Sequence, residues 1–565
     1  MKRGQLLLAL FAALAVAGVA WFAGSGGGKD DPGTKAGGNG GPAPKNAIHV
    51  SFAYSPEKEK LLLPLIKAFN RKGEQVGGRT VVVDGINASS GDAEARIAKG
   101  TFKPVAWSPA SSLWGRLLNF EADQPITREE APSIVRTPLV IAMWEPMARA
   151  LGYPKKKLGF ADVLALATSG KGWAAFGRPE FGAFKLVHTS PDFSTSGLSA
   201  VVAEYYAATG KKEGLTEKDI AAGPARKRVR DIERSIVHYG DTTLFIEDQL
   251  KKEGPGYASA VAMEETTLLD FNHTRGDRDK LVAIYPEEGT FDSDSPFFTL
   301  KGSWVSSAQA AGAKAFQQYL AKEITPEVAA RSGFRPSDRA KAPVAPITAA
   351  NGADPRQPAR VLVPPEPRVL AAIKAAWRRD RKPANILLVL DTSGSMNTEG
   401  RLKRAKAGLE VFFKGVEPQD SVGLTIFSDK IQPLIAPAPL SKNRDELQTR
   451  VRSLIADGGT AFFDATVSAF DSVRQQRATD RINAVVLLTD GEDTDSQLTA
   501  DDVVKHIEGQ GDSPNRVRVF TIAYSSGASG AREQLKQIAA ASGGLDYEGK
   551  TENIESVYRS ISSFF

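Results

Sequence analysis

The chain of 565 residues contains no cysteine. This excludes disulfides, thiol nucleophiles, cysteine-ligated zinc, iron–sulfur clusters and an acylated-cysteine membrane anchor. Histidine is scarce: His49, His188, His238, His273 and His506 are scattered, with no His-Glu-x-x-His pair. No Gly-x-Ser-x-Gly elbow occurs. Ser169-Gly170-Lys171-Gly172 lacks the glycine spacing and final hydroxyl of a phosphate-binding loop. Neither sign of charge dominates. The 72 Lys+Arg against 66 Asp+Glu leave +6, well mixed, which argues against a nucleic-acid partner. These absences point away from an enzyme and toward a binding protein. A hydrolase using a metal-bound water would need a general base that no local motif supplies.

What the chain does hold is concentrated in Ile386-Leu387-Leu388-Val389-Leu390-Asp391-Thr392-Ser393-Gly394-Ser395. Five apolar residues in a row read as a strand buried on both faces, the parallel-sheet type. Asp391 falls at the strand's end and Ser393-Gly394-Ser395 makes a tight polar loop. In open α/β sheets ligands sit beyond the carboxyl ends of strands. Gly458-Gly459-Thr460 adds a hydroxyl on a glycine-rich loop. Ala484 to Leu488, followed by Thr489 and Asp490, repeats the buried strand ending in an acid. Asp391, Ser393, Ser395, Thr460 and Asp490 offer only oxygen, which suits a hard cation. Few carboxylates among neutral hydroxyls favour Mg2+, with Mn2+ or Ca2+ as alternatives.

Asp391-x-Ser393-x-Ser395, then Thr460, then Asp490, resembles the metal-ion-dependent adhesion site (MIDAS) of the von Willebrand factor type A (VWA) fold. The resemblance covers roughly Ala384 to Phe565 and implies a doubly wound, Rossmann-like sheet. It also implies a divalent cation whose open coordination position takes a carboxylate from a protein partner. Asp391, Ser393, Ser395 and Thr460 would be direct ligands, and Asp490 direct or through water.

At the other end, Lys2 and Arg3 precede Leu6 to Ala23, a run without charged or polar side chains. Basic residues before such a run read as a secretory signal or signal anchor over 1–23, with cleavage after Ala20 an option. Residues 24–46 are rich in Gly, Pro, Lys and Asp and form a flexible tether. The expected location is the cell membrane by a single N-terminal pass, with the remaining chain extracytoplasmic, or the periplasm or medium after cleavage.

Between these ends, residues 47–345 alternate strand-like and helix-like patterns, which argues for an α/β domain. Strands are expected at Ile48–Ala53, Thr80–Val83, Val135–Met143 and Lys185–His188. Ser108-Pro109-Ala110-Ser111-Ser112-Leu113-Trp114, Thr189-Ser190-Pro191-Asp192-Phe193-Ser194-Thr195-Ser196-Gly197 and Tyr285-Pro286-Glu287-Glu288-Gly289 resemble bacterial extracellular solute-binding proteins of the two-lobed periplasmic type. The resemblance implies two lobes closing over a small solute. Independently of it, hydroxyls at a helix start attract anions. Ser89, Ser90, Ser108 and Ser196 are therefore candidate ligand-binding residues for an oxyanion or carboxylate-bearing solute. Residues 346–383 read as a Pro-rich linker ending in a short helix from Val369 to Trp377.

The expected chain is thus α/β throughout: a two-lobed periplasmic-binding-protein-like domain followed by a VWA domain over 384–565. Its expected function is extracytoplasmic adhesion, in which the metal recruits an acidic residue of a protein partner. The alternative is a receptor that senses or delivers a solute, with the VWA domain as its docking module.

Overall fold

A computed structural model describes residues 46–510, 516–524, 529–550 and 554–565. The segments expected as signal or anchor (1–23) and, except for its last residue, as tether (24–46) lie outside these. Three sheets organise the described chain. The first follows the order Phe298–Thr299, Ala106–Ser108, Ile48–Tyr54, Arg79–Asn87, Gln75–Val76. Its three inner strands run parallel. Val50, Phe52, Val81 and Val83 bury against Leu62, Phe69 and Phe316 to form one lobe's own core.

The second sheet is built on Val135–Trp144, ten residues that are all buried. It pairs antiparallel with Ala260–Glu264, Leu281–Ile284, Asp292–Ser293 and Arg335–Pro336. Leu186–Thr189 lies between Ala260–Glu264 and Ile236–Gly240, parallel to both. The chain leaves the first lobe after the helix Leu113–Glu121 and returns to it at Phe298–Thr299, so a cleft separates two lobes linked by more than one crossing.

The third sheet has the order Ile431–Pro439, Ser421–Phe427, Ala384–Asp391, Ile482–Thr489, Arg518–Tyr524, Asp546–Gly549. All its pairings are parallel except the first. Ala384–Asp391 is central and completely buried, because helices cover both faces. The edge strand Ile431–Pro439 is not among the strands expected from the sequence. Pro433, Pro437 and Pro439 argue against a strand, yet an edge strand pairs on one side only and tolerates proline. The strand is also irregular beside Gly423, where a Cβ would lie 2.7 Å from the Pro437 nitrogen.

The expected linker is not a free spacer. Ile347, Ala353 and Leu362 are buried, and Arg335 donates to the carbonyls of Asp354 and Gln357. The connector helix is longer than expected, Pro367–Asp380. One apolar cluster runs from Val201 and Tyr239 of the second lobe, through Ile373 and Trp377 of this helix, to Leu409, Phe412 and Tyr558 of the last domain. The last domain is therefore docked on the second lobe through a shared core.

Candidate metal centre and interlobe cleft

Two adjacent parallel strands deliver the acids. Asp391 ends Ala384–Asp391, and Asp490 follows Ile482–Thr489, its neighbour in register. The loop after Asp391 is stitched to the Gly458–Thr460 loop: Gly394 N–H donates to Gly458 O at 2.9 Å, and Asp457 N–H to Thr392 O at 2.8 Å. The side chains then form a chain of oxygens. Ser393 Oγ and Ser395 Oγ lie 2.9 Å apart, and Ser395 Oγ donates to Asp490 Oδ1 at 2.7 Å. Thr460 joins them: a Cβ at Gly491 would sit 3.7 Å from Thr460 Oγ1 and 3.8 Å from Ser395 Oγ. All five residues expected from the sequence are thus brought together. Asp391, Ser393, Thr460 and Asp490 are buried and Ser395 is exposed, so the cluster opens to solvent at one side.

Two further residues belong to the centre and are not signalled by the sequence pattern. Thr489 Oγ1 donates to Asp391 Oδ2 at 2.5 Å, while Ser393 N–H donates to Oδ1 at 2.7 Å. Arg401, at the start of the helix Arg401–Gly415, donates to Asp490 Oδ2 at 2.7 Å. Thr489 immediately precedes an acid already singled out, but only strand pairing aims it across at Asp391. Burial pushes the Asp391 carboxyl up to about 6, the nearby Asp490 adds to this, and the Ser393 and Thr489 hydrogen bonds oppose it. An oxygen-only set with two close carboxylates, each held by hydrogen bonds to both of its oxygens, is chemically suited to a hard divalent cation.

The cleft between the lobes is closed over a cavity of about 20 Å³, room for about one water. Gly91 N–H of the first lobe donates to Phe193 O of the second at 2.9 Å. Trp114 Nε1–H donates to Thr195 Oγ1 at 2.7 Å. A Cβ at Gly91 would fall 2.2 Å from Asp192 O, so closure needs glycine there. Of the four serines expected to bind ligand, Ser89 and Ser90 line the cavity. Ser108 and Ser196 do not: Ser108 accepts the buried Lys58 ammonium at 2.8 Å, and Ser196 bonds Thr189 Oγ1 at 2.8 Å. Lys58 itself is lowered to about 8 by burial.

Three carboxylates, Glu57, Asp241 and Glu264, line the same cavity, and no sequence motif marks them as a set. Burial, then the charge of Glu57, pushes Glu264 up to about 7. Helices beginning at Ser90, Thr195 and Thr243 start among the lining residues, so the chain's own acids stand where a ligand anion would be drawn. The lining of this small cavity is thus acidic as well as hydroxyl-rich.

Both lobes are also bridged from outside. On the connector helix, Arg378 makes a bidentate pair with Asp192 of the second lobe, each bond 2.7 Å. Lys374 reaches Glu121 of the first lobe at 3.6 Å. On the C-terminal helix Ile554–Ser562, Ser560 Oγ donates to Asp241 at 3.2 Å and Arg559 approaches Asp92 at 3.9 Å. That helix packs on Arg401–Gly415 at Gly408, where a Cβ would lie 2.5 Å from Tyr558 Cδ2. Two helices therefore connect the Asp490–Arg401 end of one site to Asp241 of the other.

The architecture defines a two-lobed binding protein with an appended VWA domain. The profile of the bacterial extracellular solute-binding protein family matches residues 50–335, about half of the chain, and the chain belongs to that family. The von Willebrand factor type A domain profile matches residues 385–558. Family membership carries an extracytoplasmic location. Among the described residues no helix is long and apolar enough to cross a membrane. Calcium-activated chloride channel regulator 1 from Equus caballus is 32% identical over 163 residues, 28% of this chain and 16% of that protein. The same regulator from Homo sapiens is 33% identical over an equal stretch. A periplasmic thiamin binding protein structure covers 60% of this chain and 99% of its own, at 10% identity and TM-score 0.42. A von Willebrand factor type A structure from Catenulispora acidiphila covers 32% and 42%, at 18% identity and TM-score 0.28.

Proposed function

We propose that this chain is an extracytoplasmic adhesion protein. Its VWA domain holds a divalent cation, Mg2+ by the donor set, at Asp391, Ser393, Ser395, Thr460 and Asp490. A protein partner approaches with an acidic side chain. The observation that carries this reading is the solvent-facing chain of oxygens at the ends of two adjacent parallel strands. Bound there, the cation supplies an electrophilic position for a partner's carboxylate. Thr489 and the Ser393 N–H hold Asp391 in orientation, Arg401 holds Asp490, and exposed Ser395 marks the open side. Residues 1–23 tether the chain to the membrane, a role supported by their sequence pattern. The test uses the full chain as bait in envelope extract, with Mg2+ or chelator and with Asp391→Ala beside the natural chain. Capture of the same partner only by the natural chain with Mg2+ is the expected result. Capture indifferent to both overturns the reading.

A second reading, solute sensing, is favoured by the closed cleft and by the helices that join it to the metal centre. A cationic solute drawn by Glu57, Asp241 and Glu264 enters when the lobes part, because the closed cavity has room for about one water, and the C-terminal helix relays that change to Arg401. Gly91→Ala is expected to hold the lobes apart, read as a larger radius of gyration in small-angle scattering. An unchanged radius removes this closure mechanism.

A further inference from the structure

Beneath the connector helix lies a cluster that neither site uses. His188 sits on Leu186–Thr189, Glu204 within the helix Thr195–Thr209, and Glu233 at the end of the helix Gly223–Glu233. A nitrogen of His188 and an oxygen of each carboxylate all lie within 4.8 Å of one another, and each residue is at most 1% exposed.

The hydrogen bonds around the cluster have the pattern of a ligand set with its outer support. His188 Nδ1–H donates to Thr189 O at 2.7 Å, which turns Nε2 inward. Nε2 faces Glu233 Oε1 at 2.9 Å. The other Glu233 oxygen accepts Tyr239 O–H at 2.6 Å and Trp377 Nε1–H at 3.0 Å. Glu204 Oε2 is buried and has no hydrogen-bond partner. Metal-bound histidines characteristically give their outer N–H to a carbonyl, and bound carboxylates are themselves hydrogen-bonded. A protonated His188 would satisfy Glu233 but would leave the Glu204 oxygen orphaned, a costly arrangement in a dry interior.

We propose that His188 Nε2, Glu204 and Glu233 Oε1 bind one divalent transition-metal ion, zinc by preference, which fastens the connector helix to the second lobe. One imidazole and two carboxylates leave the site neutral with a divalent ion and match zinc's nitrogen and oxygen ligands. Bonds of about 2.1 Å place tetrahedral ligand atoms about 3.4 Å apart, so His188 Nε2 and Glu233 Oε1 part from 2.9 Å while the set as a whole stays within its 4.8 Å span. Trp377 belongs to the connector helix, so the outer support is complete only when that helix is docked. The site is independent of the VWA centre and of its proposed role.

The test measures zinc per chain by elemental analysis in the full-length protein carrying Asp391→Ala, which disables the VWA centre. About one equivalent of zinc, surviving dialysis against a weak chelator, is expected. Adding Glu204→Gln, nearly isosteric, should lower it at least tenfold. Cobalt-loaded Asp391→Ala protein should show visible absorption well above that of hydrated, six-coordinate cobalt. No retained zinc or cobalt in the Asp391→Ala protein overturns the proposal, as does equal zinc after Glu204→Gln. If the double variant does not fold, by circular dichroism, the content and cobalt spectrum of the Asp391→Ala protein decide alone.

Discussion

Single side chains set both candidate sites by what they point at. Thr489 is the clearest case: its hydroxyl donates to Asp391 Oδ2 at 2.5 Å and accepts the Gly491 N–H at 3.4 Å. Thr489→Val keeps the shape and removes the donor, and should weaken Mg2+ or Mn2+ binding about 10–100-fold by titration calorimetry. Unchanged affinity would mean that Asp391 does not depend on Thr489 for its orientation. In the cleft, Glu264 titrates near 7 because burial and then Glu57 disfavour its charge. A folded value above the unfolded one means the unfolded chain ionises first as pH rises. Stability is therefore fullest below about 4.5 and declines as pH climbs to about 7. Glu94, pushed to about 8 by burial, acts in the same direction. Glu264→Gln imitates the protonated form, so its melting temperature should exceed that of the natural chain at pH 8 and match it at pH 5. A constant difference across that range would exclude the titration.

At the scale of elements, the final domain meets the solute-binding lobes through two helices with different grips. The connector helix uses ion pairs, Arg378 with Asp192 and Lys374 with Glu121, around an apolar face of Ile373 and Trp377. The C-terminal helix is positioned by close packing, with Tyr558 against Gly408. Gly408→Leu should displace it at a cost of about 1–3 kcal/mol, seen as a lower melting temperature. If the helix relays between the sites, the same variant should also change Mg2+ affinity. Destabilisation with unaltered Mg2+ affinity would limit the helix to a structural role.

For the whole molecule, the shared core matters more than the boundaries between modules. The second lobe, the connector helix and one face of the last sheet bury their apolar side chains in a single cluster. One face of the first lobe's sheet has a core of its own, while Ala53, Trp107 and Trp114 of that lobe join the shared cluster. Calorimetry of the full chain should therefore show the second lobe and the VWA domain melting together, because neither keeps its core when the other unfolds. Separate transitions for the lobes together and the VWA domain alone would contradict that coupling. Arg516–Glu253, and the Arg518 bond to Val237 O, reinforce the same junction.

The sequence by itself determined the features that are local. Buried strands such as Ile386–Leu390 announce themselves as apolar runs, and an acid followed by hydroxyls at a strand end needs only that strand to be placed. Hence Asp391, Ser393, Ser395, Thr460 and Asp490 are legible from the order of residues alone. The extended strand Ile431–Pro439 is not, because its prolines are tolerated only through its edge position. Ser108 and Ser196 look like ligand donors because a serine's partner is invisible in sequence; the fold gives them to Lys58 and Thr189. Tertiary structure alone decided that Glu57, Asp241 and Glu264 share one cavity, that Arg401 reaches Asp490, and that His188, Glu204 and Glu233 meet beneath Trp377. Each joins residues from separate elements, and only folding brings such groups to the few ångströms over which charge and hydrogen bonding act.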